Sequence, residues 1–367
     1  MLGRKALTDV LTHWRNASRL AEDNVAKQAF QFPNSGIGLA LSVACTSWDE
    51  QSSSVRSFRM NGWPGVRKSS AGQASACRRE SVMSQRGVVQ IVNAHIQQEG
   101  GGFVVRRPFP SASLRYADPF VLLDEMGPVE YGPGQAIGAP DHPHRGFETV
   151  TYVLEGESEH EDSAGHRGKI GPGDVQWMTA GRGIVHSEMP SQELQRSGGR
   201  MHGFQIWVNL PARDKMIAPR YQEIPRTRIP LAMTSDCLAT VHVIAGEALG
   251  AHAVIETRTP ISYLHWTFSP GASVQLPLPR EHAAYVYVFD GAVRVDNRDL
   301  HSGQLAVLGE GDSVQFEASQ RAQVLSLSGV PLREPFVQYG PFVMNTEREI
   351  QQAFEDYQAG RLGEIRR

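Results

Sequence analysis

His142 and His144 stand two residues apart, and so do His186 and Glu188. Side chains at i and i+2 share one face of a β-strand. Two such strands facing each other inside a small barrel would converge three imidazoles and one carboxylate on a single point. A fold that wasted this spacing on helices would scatter the four groups, so the pairs argue for a barrel of short strands. Nitrogen and oxygen ligands of this kind suit iron, manganese, nickel, copper or zinc, and four protein ligands leave an octahedral ion two open positions. Open positions are where a substrate or dioxygen binds.

The rest of the chain fits short strands cut by turns. The sequence holds 36 Gly and 22 Pro among 367 residues, which supplies many turns. Thr149 to Leu154 is β-branched and aromatic, Gly171-Pro172-Gly173-Asp174 is a turn ahead of Val175 to Met178, and Phe204 to Leu210 alternates. A second strand-rich block follows Ala232. Within it, Ala284 to Gly291 echoes Val150 to Gly156, and Ser302 to Leu308 echoes Pro172 to Met178, at an offset of about 130–135. At that offset His142 and His144 correspond to Pro277 and Pro279, and His282 falls out of register. The second barrel is therefore expected to lack a metal.

These observations give an all-β chain of two barrels: residues 83–215 with the metal site and residues 230–345 without one. Pro211 to Pro230 would connect them. Residues 346–367 carry a C-terminal helix, with Asn345 or Thr346 as N-cap, Ile350, Phe354 and Tyr357 on one face, and Gly360 as the stop. It is expected to pack on a barrel.

Residues 1–82 differ in character. They hold 11 Lys and Arg against 6 Asp and Glu, whereas the remainder holds 25 against 33. Leu7 to Phe30 has a weak helical period, and Gln51 to Ser81 has none. The expectation is a disordered extension or an upstream-start artefact, with Met83 opening the folded body. Asp9, Glu22 and Asp23 argue against an organellar transit peptide. The apolar run Ile37 to Cys45 is shorter than the ~20 residues a membrane span needs. The net charge of −3 gives no case for nucleic-acid binding, and short basic pairs such as Arg67-Lys68 and Arg78-Arg79 fall short of an import signal. Cys45, Cys77 and Cys237 form no disulfide framework and no cysteine zinc site.

The blocks HPHRGFETVTYVLEG, GDVQWMTAGRGIVHSEMP, GFQIWVNLP and VQYGPFVMNTEREI, in that order, resemble the pirin family of the cupin superfamily from about Val88 to the C-terminus. The resemblance implies a bicupin with one iron in the N-terminal barrel, held by His142, His144, His186 and Glu188, with Glu188 taking the place that Glu148 would hold in a general cupin. Nitrogen and oxygen ligands admit other divalent transition metals as well. Some pirins are similar in activity to quercetin 2,3-dioxygenase. Others are iron-dependent regulators acting through a protein partner, as transcriptional co-regulators or modulators of metabolic enzymes.

The preferred expectation is an oxidoreductase that cleaves a flavonol-like small molecule with O2 and releases CO, with Glu188 as the catalytic base. The alternative is an iron- and redox-dependent binding module, in which Fe(II)/Fe(III) exchange changes surface charge near Arg145 and Arg182 and so the affinity for a protein partner. Gln176, Met178, Phe204 and Trp207 are candidate pocket residues, with core packing as the competing role. Arg145 and Glu148 are candidates for supporting the ligands, Glu148 equally for pairing with Arg145 or Arg182. His160, His166 and His202 have no partner at ligand spacing and read as ordinary. A cytoplasmic monomer is expected, nuclear if the host is eukaryotic.

Overall fold

A computed structural model describes residues 83–367. The extension 1–82, with its weak helix and its basic pairs, lies outside the described residues. Strands dominate, and among the described residues only Gln192–Ser197 and Glu347–Gln358 are α-helical.

The first barrel has two sheets. The large one runs Arg220–Ile224, Val175–Thr179, Phe147–Glu155, Gly199–Asn209, Phe120–Tyr131, Phe103–Phe109 and His95–Glu99 in spatial order. The small one runs Ala139–His144, Ile184–Pro190, Ser158–Asp162 and Arg167–Ile170. All neighbours are antiparallel. The second barrel is built on the long strand Ala283–Val295, paired with Gln304–Leu308 and Ala322–Gly329. It has its own core around Trp266, Phe268 and Phe316.

The large sheet of the first barrel is apolar behind and polar in front. Gln205 is opposite Thr151, which is opposite Gln176, which is opposite Glu223. Trp207, Thr149, Met178 and Tyr221 form the next row of the same parity. Residues of the other parity, Val150, Tyr152, Val175, Trp177, Phe204 and Ile206, share one buried cluster with Tyr263, Tyr285, Tyr287, Phe289 and Leu327 of the second barrel. Each fully buried large side chain there contributes about 1.5–3 kcal/mol, so the two barrels are held by an apolar seam. A polar node crosses it as well. Glu125, wholly buried, accepts from Arg106, from His202 Nε2 at 3.0 Å and from the Tyr287 hydroxyl at 2.6 Å.

The domain limits set from the sequence need correction at three places. Val88–Asn93 pairs with Gln304–Leu308, so the opening strand belongs to the second barrel. Arg220–Ile224, inside the expected connection, pairs with Val175–Thr179 of the first. The segment after Val337 returns to the first barrel, where Arg145 bridges Phe342. Edge strands are recruited from far along the chain, and a linear division cannot register that. The terminal helix lies where its pattern placed it, with a capping box formed by Thr346 and Glu349. His282, the out-of-register histidine of the second barrel, bonds the Ser328 hydroxyl at 3.1 Å.

Candidate metal centre

Three of the four expected ligands converge. His186 is directly opposite His142 in the small sheet, and His144 is opposite Ile184. One ring nitrogen from each of His142, His144 and His186 can be chosen so that all lie within 4.8 Å of one another. Each ring is held by ordinary strand geometry, because alternate residues of Ala139–His144 face the barrel interior.

The ring orientations suit ligation. His142 Nδ1 lies 2.7 Å from the Pro140 carbonyl, and His144 Nδ1 lies 3.4 Å from the Pro341 carbonyl. A carbonyl can only accept, so both Nδ1 atoms donate, which leaves both Nε2 atoms to face the centre. Burial, and then the neighbouring His142, hold His144 well below the usual histidine range, with the Pro341 carbonyl opposing. Burial does the same to His186, followed by His142, His144 and His160. Neutral imidazoles are the form a metal needs. Neither nitrogen of buried His186 has a hydrogen-bond partner within the protein. That is costly for an isolated histidine and natural for a metal ligand. The donor set therefore fits a transition ion.

Glu188 stands outside this group of three. The register shifts between His186 and Glu188, which faces Ala139. The extra residue lies on Ala139–His144, whereas Ile184–Pro190 keeps an unbroken register with Ser158–Asp162, so Glu188 stays on the face of His186. The carboxylate instead accepts from the Thr151 hydroxyl at 2.8 Å and from Gln205 Nε2 at 3.0 Å. Both donors come from the polar front of the large sheet, so Glu188 joins the two walls of the barrel beside the histidines.

The pocket candidates divide by strand parity. Gln176, Met178 and Trp207 lie on the front of the large sheet. Gln176 donates to Glu223 at 3.0 Å, Met178 sulfur accepts from the Tyr221 hydroxyl at 2.9 Å, and the Trp207 ring lies 5.1 Å from that of His144. Phe204 does not belong with them. It lies on the back, its ring 4.9 Å from Phe289, as part of the seam between barrels. Glu148 also lies on the back and accepts from the Thr179 hydroxyl at 2.6 Å. Burial raises its pKa, with the bonds from Thr179 and Trp177 opposing. Arg145 is buried and turned away, bonding the Arg182 carbonyl at 2.6 Å and Asp356 at 2.7 Å. Neither Arg145 nor Glu148 bonds a ligand ring, so their expected supporting role is corrected to these contacts.

Two histidines read as ordinary stand close to the centre. His160 faces Glu188 across the ladder, its ring 5.3 Å from that of His186, and its Nε2 meets the Tyr221 hydroxyl at 2.9 Å. Burial lowers its pKa, opposed by Glu188 and Asp162. His166 stacks on Tyr221 at 4.5 Å and meets Glu223 at 3.1 Å. The available signal was the alternation of Ser158, His160 and Asp162 as buried positions of one strand. His202, by contrast, is a structural partner of Glu125.

Comparison with known proteins bears on this arrangement. The Pirin family model matches residues 102–208, and the Pirin C-terminal cupin domain model matches residues 263–363. A pirin-like protein of Solanum lycopersicum is 46% identical over 281 residues, covering 75% of this chain and 92% of its own. Pirin of Homo sapiens is 45% identical over 287 residues, covering 76% and 95%. A crystal structure of quercetin 2,3-dioxygenase from Acinetobacter baumannii superposes with a TM-score of 0.74 at 37% identity, covering 77% of this chain and all of that one. With two cupin barrels, both family models matched in order and relatives aligned over nearly their whole length, the chain belongs to the pirin family.

Proposed function

We propose that this protein is a metal-dependent dioxygenase that opens the ring of a flavonol-like substrate with O2 and releases CO. The observation that carries the proposal is the convergence of three imidazoles before a polar sheet face. The likeness to the Acinetobacter quercetin 2,3-dioxygenase supports the choice of substrate. Iron is the metal proposed, one ion per chain, held by His142, His144 and His186, with Glu188 as the fourth ligand when its carboxylate leaves Thr151 and Gln205. The bound ion would supply Lewis acidity that lowers the pKa of a coordinated hydroxyl.

The chain's own residues do the rest. Glu188 takes the proton of the substrate hydroxyl, since its carboxylate sits beside the ligand rings and is oriented by two donors. Thr151 and Gln205 hold it as a base whenever it is not a ligand. Trp207, packed edge-on against His144, would give the front wall an apolar edge for a flat aromatic substrate, backed by the wholly buried Met178 and by Gln176. The competing reading, a redox-dependent binding module, placed the change of surface charge near Arg145 and Arg182. Arg145 is only 4% exposed and already paired with Asp356, which weakens that reading.

The test is headspace CO from the iron-loaded full chain mixed with quercetin in air, with His186→Ala as control. Stoichiometric CO, lost in the control, is the expected result. No CO from fully metallated protein would refute the dioxygenase reading and favour the regulator.

A further inference from the structure

The wall behind the three histidines is built by the end of the chain. After the second barrel, the hairpin Val337–Tyr339 and Phe342–Met344 lies on the strand end that carries His144. Val343 N–H donates to the Arg145 carbonyl at 3.0 Å. The helix beyond it brings Asp356 to Arg145 at 2.7 Å, and the last residue, Arg367, pairs with Asp141 at 2.6 Å. Val185, between two inward-facing positions of its strand, packs outward against Phe342, Met344, Ile350 and Leu362. Both ligand-bearing strands thus have this tail as their outer support.

One side chain fastens the tail at the critical point. Lys215 is 1% exposed, and its three donors have three acceptors. They are the Gly146 carbonyl at 2.8 Å, Asn209 Oδ1 at 2.7 Å and the Val343 carbonyl at 3.0 Å. No carboxylate bonds it, so full satisfaction by neutral oxygens is what makes a buried cation tolerable here. Two of these acceptors flank the site. Gly146 is two residues after His144, and Val343 is two residues after Pro341, whose carbonyl meets His144 Nδ1. The approach is close enough to require glycine. Gly146 has φ +88°, and a Cβ there would stand 2.0 Å from the Val343 oxygen.

We propose that Lys215 is a positioning residue of the three-histidine site: its ammonium staples the C-terminal hairpin to the turn after His144, so that the Pro341 carbonyl fixes that ring with Nε2 toward the other two imidazoles. Outer partners of this kind commonly govern metal affinity by about 10–100-fold. The proposal rests on reading the triad as a metal site, but it is independent of the dioxygenase chemistry.

The test compares the full chain with Lys215→Met and Asp356→Asn, each titrated with cobalt(II) against a chromophoric chelator. The d–d spectrum of the bound cobalt is the second readout. Lys215→Met is expected to bind about 10–100-fold more weakly, with a changed d–d spectrum. Asp356→Asn loosens the tail from its outer side and is expected to shift affinity in the same direction by a smaller factor. If Lys215→Met fails to fold, the Asp356→Asn affinity and spectrum decide the matter. Wild-type affinity and spectrum in every variant that folds would overturn the staple. A wild-type chain that binds no cobalt would overturn the metal reading and the staple with it.

Discussion

Removing the Tyr287 hydroxyl should weaken the junction between the barrels without touching the metal centre. In Tyr287→Phe the ring stays in the shared core, and only the 2.6 Å bond to the wholly buried Glu125 carboxylate is lost. A hydrogen bond to a charged group is worth about 1.5–3 kcal/mol. At roughly 2–4 °C per kcal/mol for a folded body of this size, Tm should fall by roughly 3–12 °C. Arg106 and His202 still satisfy the carboxylate, so the loss should sit toward the lower end. Scanning calorimetry of the wild type and the variant, without metal, measures the shift. Cobalt affinity, measured in parallel, should be unchanged, because Glu125 and Phe204 lie opposite each other on the back of the sheet while the ligands face its front. A Tm within about 1 °C of wild type would refute the energetic argument. A tenfold loss of affinity, on the order of 1.4 kcal/mol, would refute the separation of the two faces.

Glu188→Gln should keep most of the metal, since the three imidazoles remain, but lose most CO release; normal turnover would sink the base assignment. Phe204→Ala should cost about 3–5 kcal/mol in urea unfolding while leaving metal uptake intact, and a variant of native stability but altered uptake would return Phe204 to the pocket. Burial raises the pKa of Asp356, but bonds from Arg145, Gln352 and Arg361 prevail and bring it from 3.8 to about 2. A depressed carboxylate contributes stability that is present above its unfolded pKa and lost as pH falls through the folded one. Tm of wild type and Asp356→Asn should therefore differ most above about pH 4 and converge toward pH 2; parallel curves would show that the carboxylate does not titrate with the fold.

The strands and the histidine pairs were legible because each is written in local spacing. Thr149 to Leu154 and the turn before Val175 need only neighbouring residues to be understood. Parity was not legible in the large sheet. A strand with a second barrel behind it and the small sheet before it is buried on both faces, so Phe204 and Trp207 look alike in sequence. The same ambiguity placed Glu148 among the supporting residues. His160 escaped notice because its partner Tyr221 lies in a segment that reads as a proline-rich connection. The bonds of Glu188 to Thr151 and Gln205 join the two sheets, so they emerge only in three dimensions.

The two-faced sheet divides the molecule for anyone who wishes to change its chemistry. Thr149 and Gln176 lie on the front, and a library randomising them would explore new substrates while Thr151 and Gln205 go on holding Glu188. Val150, Tyr152, Trp177 and Ile206 occupy the alternate positions of the same strands, and any change there must be matched by Tyr263, Tyr287 or Phe289 across the seam. Selection for activity and selection for solubility would then act on interleaved but nearly independent sets of residues. The second barrel, in such an experiment, is the anvil against which the first can be reshaped.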